Sequence, residues 1–159
     1  MSQAEAPSRP QSLAADASSA VVIGLGYVGR PIALAAATSG MTVTGFDLDP
    51  AACARAEAAW QRRAAKQGHF RSTADARMLP AADAWVIAVP TPLDAAGAPD
   101  LGAVRAALRL CAARLRRGAL VSLVSTCHPG ATRRMCAPVL EGAGFAIGQD
   151  VFLAVSPER

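Results

Sequence analysis

The sequence predicts an α/β fold in which a mostly parallel, doubly wound sheet carries helices on both faces. Short apolar runs, rich in β-branched residues and stopped by Gly or Pro, alternate with longer helix-like segments. A glycine-rich turn joins the first apolar run to the first helical segment, and an aspartate closes the second apolar run. Such alternation is typical of right-handed βαβ units, which build parallel sheets.

The first half of this pattern contains three predicted strands and two helices. Residues 20–23 form a buried strand, and residues 32–39 form a small-residue helix that has Pro31 in its first turn and Gly40 as its stop. The remaining segments are a strand at 41–46, an Ala/Arg-rich helix at 50–67 stopped by Gly68, and a short strand at 69–72.

The second half repeats the alternation. Asp100 is a candidate N-cap for a helix whose apolar residues share one face. The arginines of that helix lie mostly off this face, which indicates a solvated surface; without interleaved aromatic residues, a nucleic-acid partner is not expected. The other segments are strands at 84–89, 119–124 and 151–155, a turn-rich loop at 93–100 and a helix at 131–141.

Length and composition narrow the classes of protein. A chain of 159 residues with a net charge of +4 favours one domain, and its composition excludes collagen, coiled coil and general disorder. The four cysteines form no CxxC pair, which predicts reduced thiols and no metal site. Residues 1–19 are polar and are expected to form a disordered tail, followed by the domain at 20–159. With neither a signal-peptide core nor a run of ~20 apolar residues, a cytoplasmic protein with no membrane partner is expected.

The strongest motif is GLGYVG at residues 24–29, which has the pattern GxGxxG. Asp47 follows the second strand eighteen residues after Gly29, close to the ~20 residues typical of a Rossmann-like dinucleotide site. In such a site Gly24 permits the tight turn, Gly26 lets a pyrophosphate approach, and Gly29 lets the helix pack on the strand. Asp47 would hydrogen-bond the adenosine ribose and repel a 2′-phosphate, which favours NAD over NADP. A glycine turn without a ligand, FAD and a substrate nucleotide are the alternatives.

Polar residues follow three other predicted strands. Thr91 comes shortly after the strand that ends at Val89, Ser125-Thr126 after the next, and Glu158 after the last. The carboxyl ends of parallel strands share the edge where open α/β sheets bind ligands. A threonine hydroxyl there can bond a phosphate or a nicotinamide carboxamide, and a glutamate can act as a general base or orient a water molecule. Ordinary turns and a solvated chain end are the alternatives.

Six motifs occur in order along residues 20–159: GLGYVGRP, FDLD, VPTPLD, GAPDL, STCHPGAT and FLAVSPER. Together they resemble the N-terminal NAD-binding domain of the UDP-glucose/GDP-mannose dehydrogenase family. VPTPLD, PDL and SPER are most similar to the branch that acts on UDP-N-acetylhexosamines, especially UDP-N-acetylglucosamine. The resemblance implies NAD as cofactor, a UDP-sugar as substrate, and oxidation of the sugar C6 hydroxyl to a carboxylate with two NAD.

The resemblance also implies roles for individual residues. The pyrophosphate would be held by Gly24, Gly26, Tyr27, Val28 and Gly29, and the ribose by Asp47. Pro90, Thr91 and Thr126 would bind the cofactor on its nicotinamide side, with Thr126 also counted as catalytic. Glu158 matches a glutamate that works near hydrolysis of the thioester intermediate and is counted as catalytic and substrate-binding, and Arg159 begins the substrate-contacting stretch.

The sequence departs from the family pattern in several places. Arg30 follows the glycine motif in place of Leu, Ala52 stands where a Lys or Arg is common, the stretch 47–68 is short, and Val124 replaces a Glu before Ser-Thr. Each of these changes is expected to weaken cofactor binding or substrate contacts.

The family's catalytic cysteine and UDP-binding domain come after the SPER motif, and Cys127 is interpreted as a core residue. The chain alone is therefore expected not to complete the reaction. A catalytically dead NAD-binding remnant or truncated gene product, and a C-terminal partner chain or homo-oligomer, are the alternatives; a short-chain or 3-hydroxyacyl dehydrogenase is a weaker one.

Overall fold

A single parallel sheet forms the centre of the molecule. The structure, a computed structural model, describes residues 18–95, 97–126, 130 and 132–156. The sheet strands in this part of the chain are β1 (Ser19–Ile23), β2 (Thr42–Phe46), β3 (His69–Thr73), β4 (Ala84–Ile87), β5 (Leu120–Leu123) and β6 (Phe152–Val155). They pair in parallel in the order β3-β2-β1-β4-β5-β6.

Helices connect most of these strands. They are α1 (Gly29–Thr38), α2 (Pro50–Gln61), α3 (Gly102–Ala112) and α4 (Ala137–Gly142), with a 3₁₀ turn at Ala76–Met78 and a π-helical turn at Thr132–Cys136. Asp49 caps α2 because its side chain accepts a hydrogen bond from the Ala51 N–H, and Pro50 occupies the first helical turn, where its missing N–H costs nothing.

Two apolar clusters lie on opposite faces of the sheet. Val22 of β1 packs with Ala33 and Ala37 of α1 in one cluster, which also contains the buried residues of α2. Val21 packs in the other cluster with residues of α3 and α4. Since successive residues of a strand point to opposite faces, β1 is covered on both sides, and the predicted doubly wound sheet is confirmed.

Three predicted helices have different bounds in the structure. The helix predicted at 32–39 spans Gly29–Thr38 and so begins at the last glycine of the motif. The helix predicted to reach residue 67 ends at Gln61. Gly68 packs against the turn between α1 and β2, where its N–H donates to the Ala37 carbonyl at 3.0 Å and an added Cβ would lie 2.2 Å from the Met41 carbonyl oxygen. The chain must leave the helix early to make this approach, which no local pattern encodes.

The helix predicted at 131–141 is divided. A π-helical turn precedes α4, and Pro138 lies in the first turn of α4. Proline has no N–H to continue an α-helical ladder, so the regular helix begins where proline is tolerated.

Strand order changes direction at the centre of the sheet. The chain runs outward from β1 through β2 to β3, returns to β4 on the other side of β1, and continues outward through β5 to β6. The carboxyl ends of β1 and β4 therefore meet at the topological switch point, which is where open α/β sheets bind ligands.

Of the predicted 1–19 tail, residues 1–17 lie outside the described residues, and β1 begins at Ser19. Within the described part of the chain, no helix has both the length and the apolar character needed to cross a membrane.

The Asp83 carboxylate links the beginning of β1 to the beginning of β4 through hydrogen bonds. Asp83 Oδ2 accepts hydrogen bonds from the backbone N–H groups and hydroxyls of Ser18 and Ser19, the shortest from Ser19 Oγ at 2.7 Å. The hydrogen bond from the Ser19 side chain is the main reason why the pKa of Asp83 lies below its ordinary value. These bonds favour the ionised carboxylate in the folded state.

Stability is expected to depend on this carboxylate in a defined pH range. Because folding lowers its pKa, Asp83 stabilises the fold above the ordinary aspartate pKa of about 3.9, and the effect is lost as pH falls through the lowered value. Asp83→Asn is expected to reduce the free energy of unfolding by about 2 kcal/mol at pH 6 and by much less at pH 3. Urea unfolding of both proteins at the two pH values measures this. An equal loss at both pH values would contradict the assignment, and Asp100→Asn, the same change at an exposed aspartate, serves as control.

Candidate functional site

Three glycines shape the turn between β1 and α1. Contacts within the protein explain why two of them must be glycine, but not the third. Gly24 has a φ of +93°, and a Cβ there would lie 2.4 Å from the carbonyl oxygen of Ala88. A Cβ on Gly29 would lie 1.8 Å from the Gly24 carbonyl oxygen. At Gly26, by contrast, a Cβ would have no described atom within 4 Å. Gly24 and Gly29 are therefore explained by backbone packing, whereas Gly26 leaves open space beside the turn.

The first turn of α1 faces this space without a side-chain cap. Val28 at the N-cap makes no side-chain hydrogen bond, and the first turn contains no acidic residue. Free N–H groups and the helix dipole make such a terminus favourable for an anion. The turn and the helix end are thus suited to a phosphate group.

Asp47 lies directly beside the glycine turn. Its Oδ2 accepts a hydrogen bond from the Leu25 N–H at 2.7 Å, and its Oδ1 accepts one from the Asp49 N–H at 2.9 Å. The carboxylate is thereby held in a fixed orientation between the turn after β1 and the start of α2. This is the position that a ribose-binding acid requires.

Hydrogen bonds from side chains link the segment that follows β4 to the segment that follows β5. The Thr91 hydroxyl donates to the Thr126 carbonyl oxygen at 3.0 Å. The buried Ser125 hydroxyl donates to the Val89 carbonyl oxygen at 2.7 Å. Thr91 and Thr126 are therefore brought together, as predicted from their places after neighbouring strands. Ser125 holds the two strand ends in register, a structural role that sequence reasoning missed.

A cavity of about 520 Å³ connects these groups along the carboxyl edge of the sheet. The predicted site residues that line it are Gly24, Gly26, Tyr27, Val28, Asp47, Pro90, Thr91 and Thr126. Gly29 packs against Gly24 at the base of the turn. Glu158 and Arg159, like Cys127, lie outside the described residues.

A second cavity of about 280 Å³ adjoins the first one. The two share Gly24, Asp47, Val89 and Pro90. The smaller cavity continues toward α3, and its further lining is almost entirely apolar, consisting of Ile23, Phe46, Leu48, Ala103, Ala106, Ala107 and Leu110. An apolar slot beside a ribose-binding acid can accept a flat heterocycle.

The lining of the larger cavity also includes Arg55, which the motifs did not indicate. Asp49, Ala52 and Arg55 line it from α2 and its cap. Arg55 Nη2 lies 3.2 Å from Asp49 Oδ2. The hydrogen bond from the Ala51 N–H, together with Arg55, holds the pKa of Asp49 below its ordinary value. Helical spacing could have identified Arg55, since it lies three residues after Ala52 and therefore on the same face of the helix.

This arrangement fits a dinucleotide. The open side of Gly26 allows a close backbone approach, the uncapped helix end suits a pyrophosphate, and Asp47 is held beside both. Among the described residues there is no group of three or more His, Cys, Asp or Glu side chains that could hold a metal ion.

Comparisons with known proteins agree with this assignment. A protein-family model described as "UDP-glucose/GDP-mannose dehydrogenase family, NAD binding domain" matches residues 18–159. UDP-N-acetyl-D-glucosamine 6-dehydrogenase of Pseudomonas aeruginosa is 34% identical over 149 residues, which cover 87% of this chain and 34% of that protein. UDP-N-acetyl-D-mannosamine dehydrogenase of Escherichia coli K12 is 36% identical over 155 residues, which cover 87% of this chain and 36% of that protein.

A solved structure gives the same result. The UDP-D-ManNAc dehydrogenase structure from Pyrococcus horikoshii superposes with a TM-score of 0.74 at 30% identity, covering 89% of this chain and 36% of that one. The chain thus spans about a third of the length of the relatives that it matches. The match over residues 18–159, the fold and the glycine turn with its aspartate lead to one assignment. The chain belongs to the UDP-glucose/GDP-mannose dehydrogenase family, as its NAD-binding domain.

Proposed function

We propose that this domain binds NAD in the two adjoining cavities and serves a dehydrogenase that oxidises the C6 hydroxyl of a UDP-N-acetylhexosamine to a uronate. The observation that carries the cofactor proposal is Gly26, whose missing side chain no described protein contact explains and which opens onto the larger cavity. The names of the relatives support the sugar class, because both cited curated relatives act on UDP-N-acetylhexosamines.

Each part of the cofactor has a matching group in the site. The pyrophosphate would lie against Gly26, Tyr27 and Val28 at the first turn of α1, and the ribose hydroxyls would donate to Asp47. The adenine would enter the smaller apolar cavity between Leu48 and α3. This arrangement uses the whole carboxyl edge from β2 to β5.

The nicotinamide would lie toward Thr91 and Thr126. The Thr91 hydroxyl already donates to the Thr126 carbonyl, so its oxygen is oriented to accept a hydrogen bond from the carboxamide. Thr126 is exposed at the same edge, where its own hydroxyl is available to the cofactor or substrate. NAD, when bound, supplies the hydride acceptor, and these residues hold its reactive ring at the mouth of the cavity.

The substrate side of the site extends past the described residues. Glu158 and Arg159 follow β6, whose carboxyl end lies at the same edge, and we assign them to substrate contact with Glu158 handling a proton or water. The three described cysteines, Cys53, Cys111 and Cys136, are buried in the two apolar clusters. Burial raises the pKa of the Cys53 and Cys111 thiols, and buried thiols are poor nucleophiles. The thiol that traps the aldehyde would therefore come from elsewhere, in a further segment or partner chain. The buried thiols support the cytoplasm as the location.

Calorimetric titration of the purified chain with NAD and with NADP tests the cofactor assignment. Saturable NAD binding is expected, with weaker binding of NADP. Asp47→Asn is expected to weaken NAD binding by about tenfold, since a charged acceptor for the ribose hydroxyls is lost. Asp75→Asn is the matched control, because it makes the same charge change outside both cavities.

Absence of heat with either cofactor, in a sample whose circular dichroism shows a folded protein, would contradict the proposal and favour a remnant that has lost binding.

A further inference from the structure

The ribose end of the cavity carries one positive charge, which comes from α2. Among the described residues that line the larger cavity, Arg55 is the one Lys or Arg side chain. A guanidinium is well suited to bind phosphate through two parallel hydrogen bonds. In dinucleotide sites an arginine near the end of the second strand is the usual means of accommodating the 2′-phosphate of NADP. The site therefore combines an acid typical of NAD selection with a guanidinium that is also suited to a 2′-phosphate.

Asp49 contacts both the cation and the acid. Its Oδ2 holds the Arg55 guanidinium at 3.2 Å, while its backbone N–H donates to Asp47 Oδ1 at 2.9 Å. Both side chains of the ion pair are more than half exposed, at 59% for Arg55 and 54% for Asp49. An exposed pair of this kind is weak, so the distance alone does not withdraw Arg55 from a ligand. The balance of charge decides instead, because Asp47, Asp49 and Arg55 all line this cavity.

We propose that Asp49 is a specificity-determining residue, which keeps the site selective for NAD by neutralising Arg55 beside the adenosine ribose. This inference rests on the proposed binding of NAD. With Asp47 and Asp49 ionised and Arg55 protonated, the ribose end has a net charge of one negative unit. A 2′-phosphate is repelled there. Without the Asp49 charge, the charges of Asp47 and Arg55 cancel, and the guanidinium can bind the phosphate without this net repulsion.

The test uses Asp49→Asn in the full chain. Asparagine caps helices as well as aspartate does, so the change removes the charge and the ion pair while α2 keeps its N-cap. Calorimetric titration with NAD and with NADP is expected to show NADP affinity rising by about tenfold, while NAD affinity changes by about twofold or less. The gain should diminish at high ionic strength, because exposed charges are screened.

A double variant identifies the cation. In Asp49→Asn/Arg55→Ala the gain in NADP affinity is expected to disappear, since the guanidinium that would receive the phosphate is absent. Asp75→Asn is the matched control: Asp75 also caps a helical turn and pairs with an arginine, Arg77, but lines neither cavity. This variant should leave the ratio of NADP to NAD affinity unchanged.

The outcomes separate the two proposals. NAD binding by the wild-type chain with an unchanged NADP-to-NAD ratio in Asp49→Asn overturns this inference alone. The same gain in Asp75→Asn, or a gain that survives removal of Arg55, also overturns it, because the effect would then be one of overall charge. Absence of NAD binding to the folded wild-type chain overturns the proposed function and this inference with it.

Discussion

Gly29→Ala is expected to lower the free energy of unfolding by roughly 3 kcal/mol or more. The added Cβ would lie 1.8 Å from the carbonyl oxygen of Gly24, and this neighbour is backbone that cannot rotate away. To make room, α1 must move off β1, which opens the cluster that Ala33 and Ala37 form with Val22. Urea unfolding followed by circular dichroism measures the loss.

The control for this substitution is Gly142→Ala at the end of α4. A Cβ there would meet no described atom within 4 Å, so a neutral or slightly stabilising effect is expected. A Gly29→Ala protein as stable as the wild type would show that α1 does not approach the Gly24 carbonyl so closely.

Gly26→Ala is expected to have the opposite pattern, with unfolding free energy within about 1 kcal/mol of the wild type and NAD affinity reduced tenfold or more. No described atom lies within 4 Å of the added Cβ, so the fold has room for it. The methyl group projects into the space where the pyrophosphate would approach the backbone. Calorimetric titration with NAD, paired with urea unfolding of the same sample, measures both quantities.

Here too Gly142→Ala is the control, since it adds the same methyl group away from the larger cavity. Unchanged NAD affinity in a folded Gly26→Ala protein would mean that the pyrophosphate does not lie against this turn. Together, the variants at 26 and 29 distinguish a glycine required by the ligand from one required by the fold, although the two belong to one motif.

Local patterns predicted most of the architecture. The apolar run at 20–23, the glycine turn and Asp47 identified β1, the turn that leads into α1 and the end of β2, because these features depend on residues close together in the chain. The family resemblance and the NAD assignment were confirmed by the match over residues 18–159. The roles of the individual site residues stay predictions, with Glu158 and Arg159 outside the described part of the chain.

One helix end and one contribution to the cavity depended on packing between elements. The helix predicted to reach residue 67 ends at Gln61 because Gly68 must pack against Met41. Likewise, the departure at Ala52 was expected to weaken the adenosine side, yet Arg55 lines the same cavity one turn further along α2. In both cases the deciding contact joins residues whose proximity depends on how the elements pack, and a motif that reads consecutive positions does not include it.

The sequence by itself determined the alternation of strands and helices, the dinucleotide turn and the acid that follows the second strand. The tertiary structure alone decided which strand ends meet, so that Thr91 bonds the Thr126 carbonyl across 35 positions of sequence and Ser125 bonds Val89 across 36. It also formed the cavity in which Arg55 of α2 and Thr91 after β4 lie along one edge with the glycine turn. The physical reason is that periodicity and turn chemistry act within a few residues, whereas the site is assembled by strand order and register between segments that are far apart in the chain.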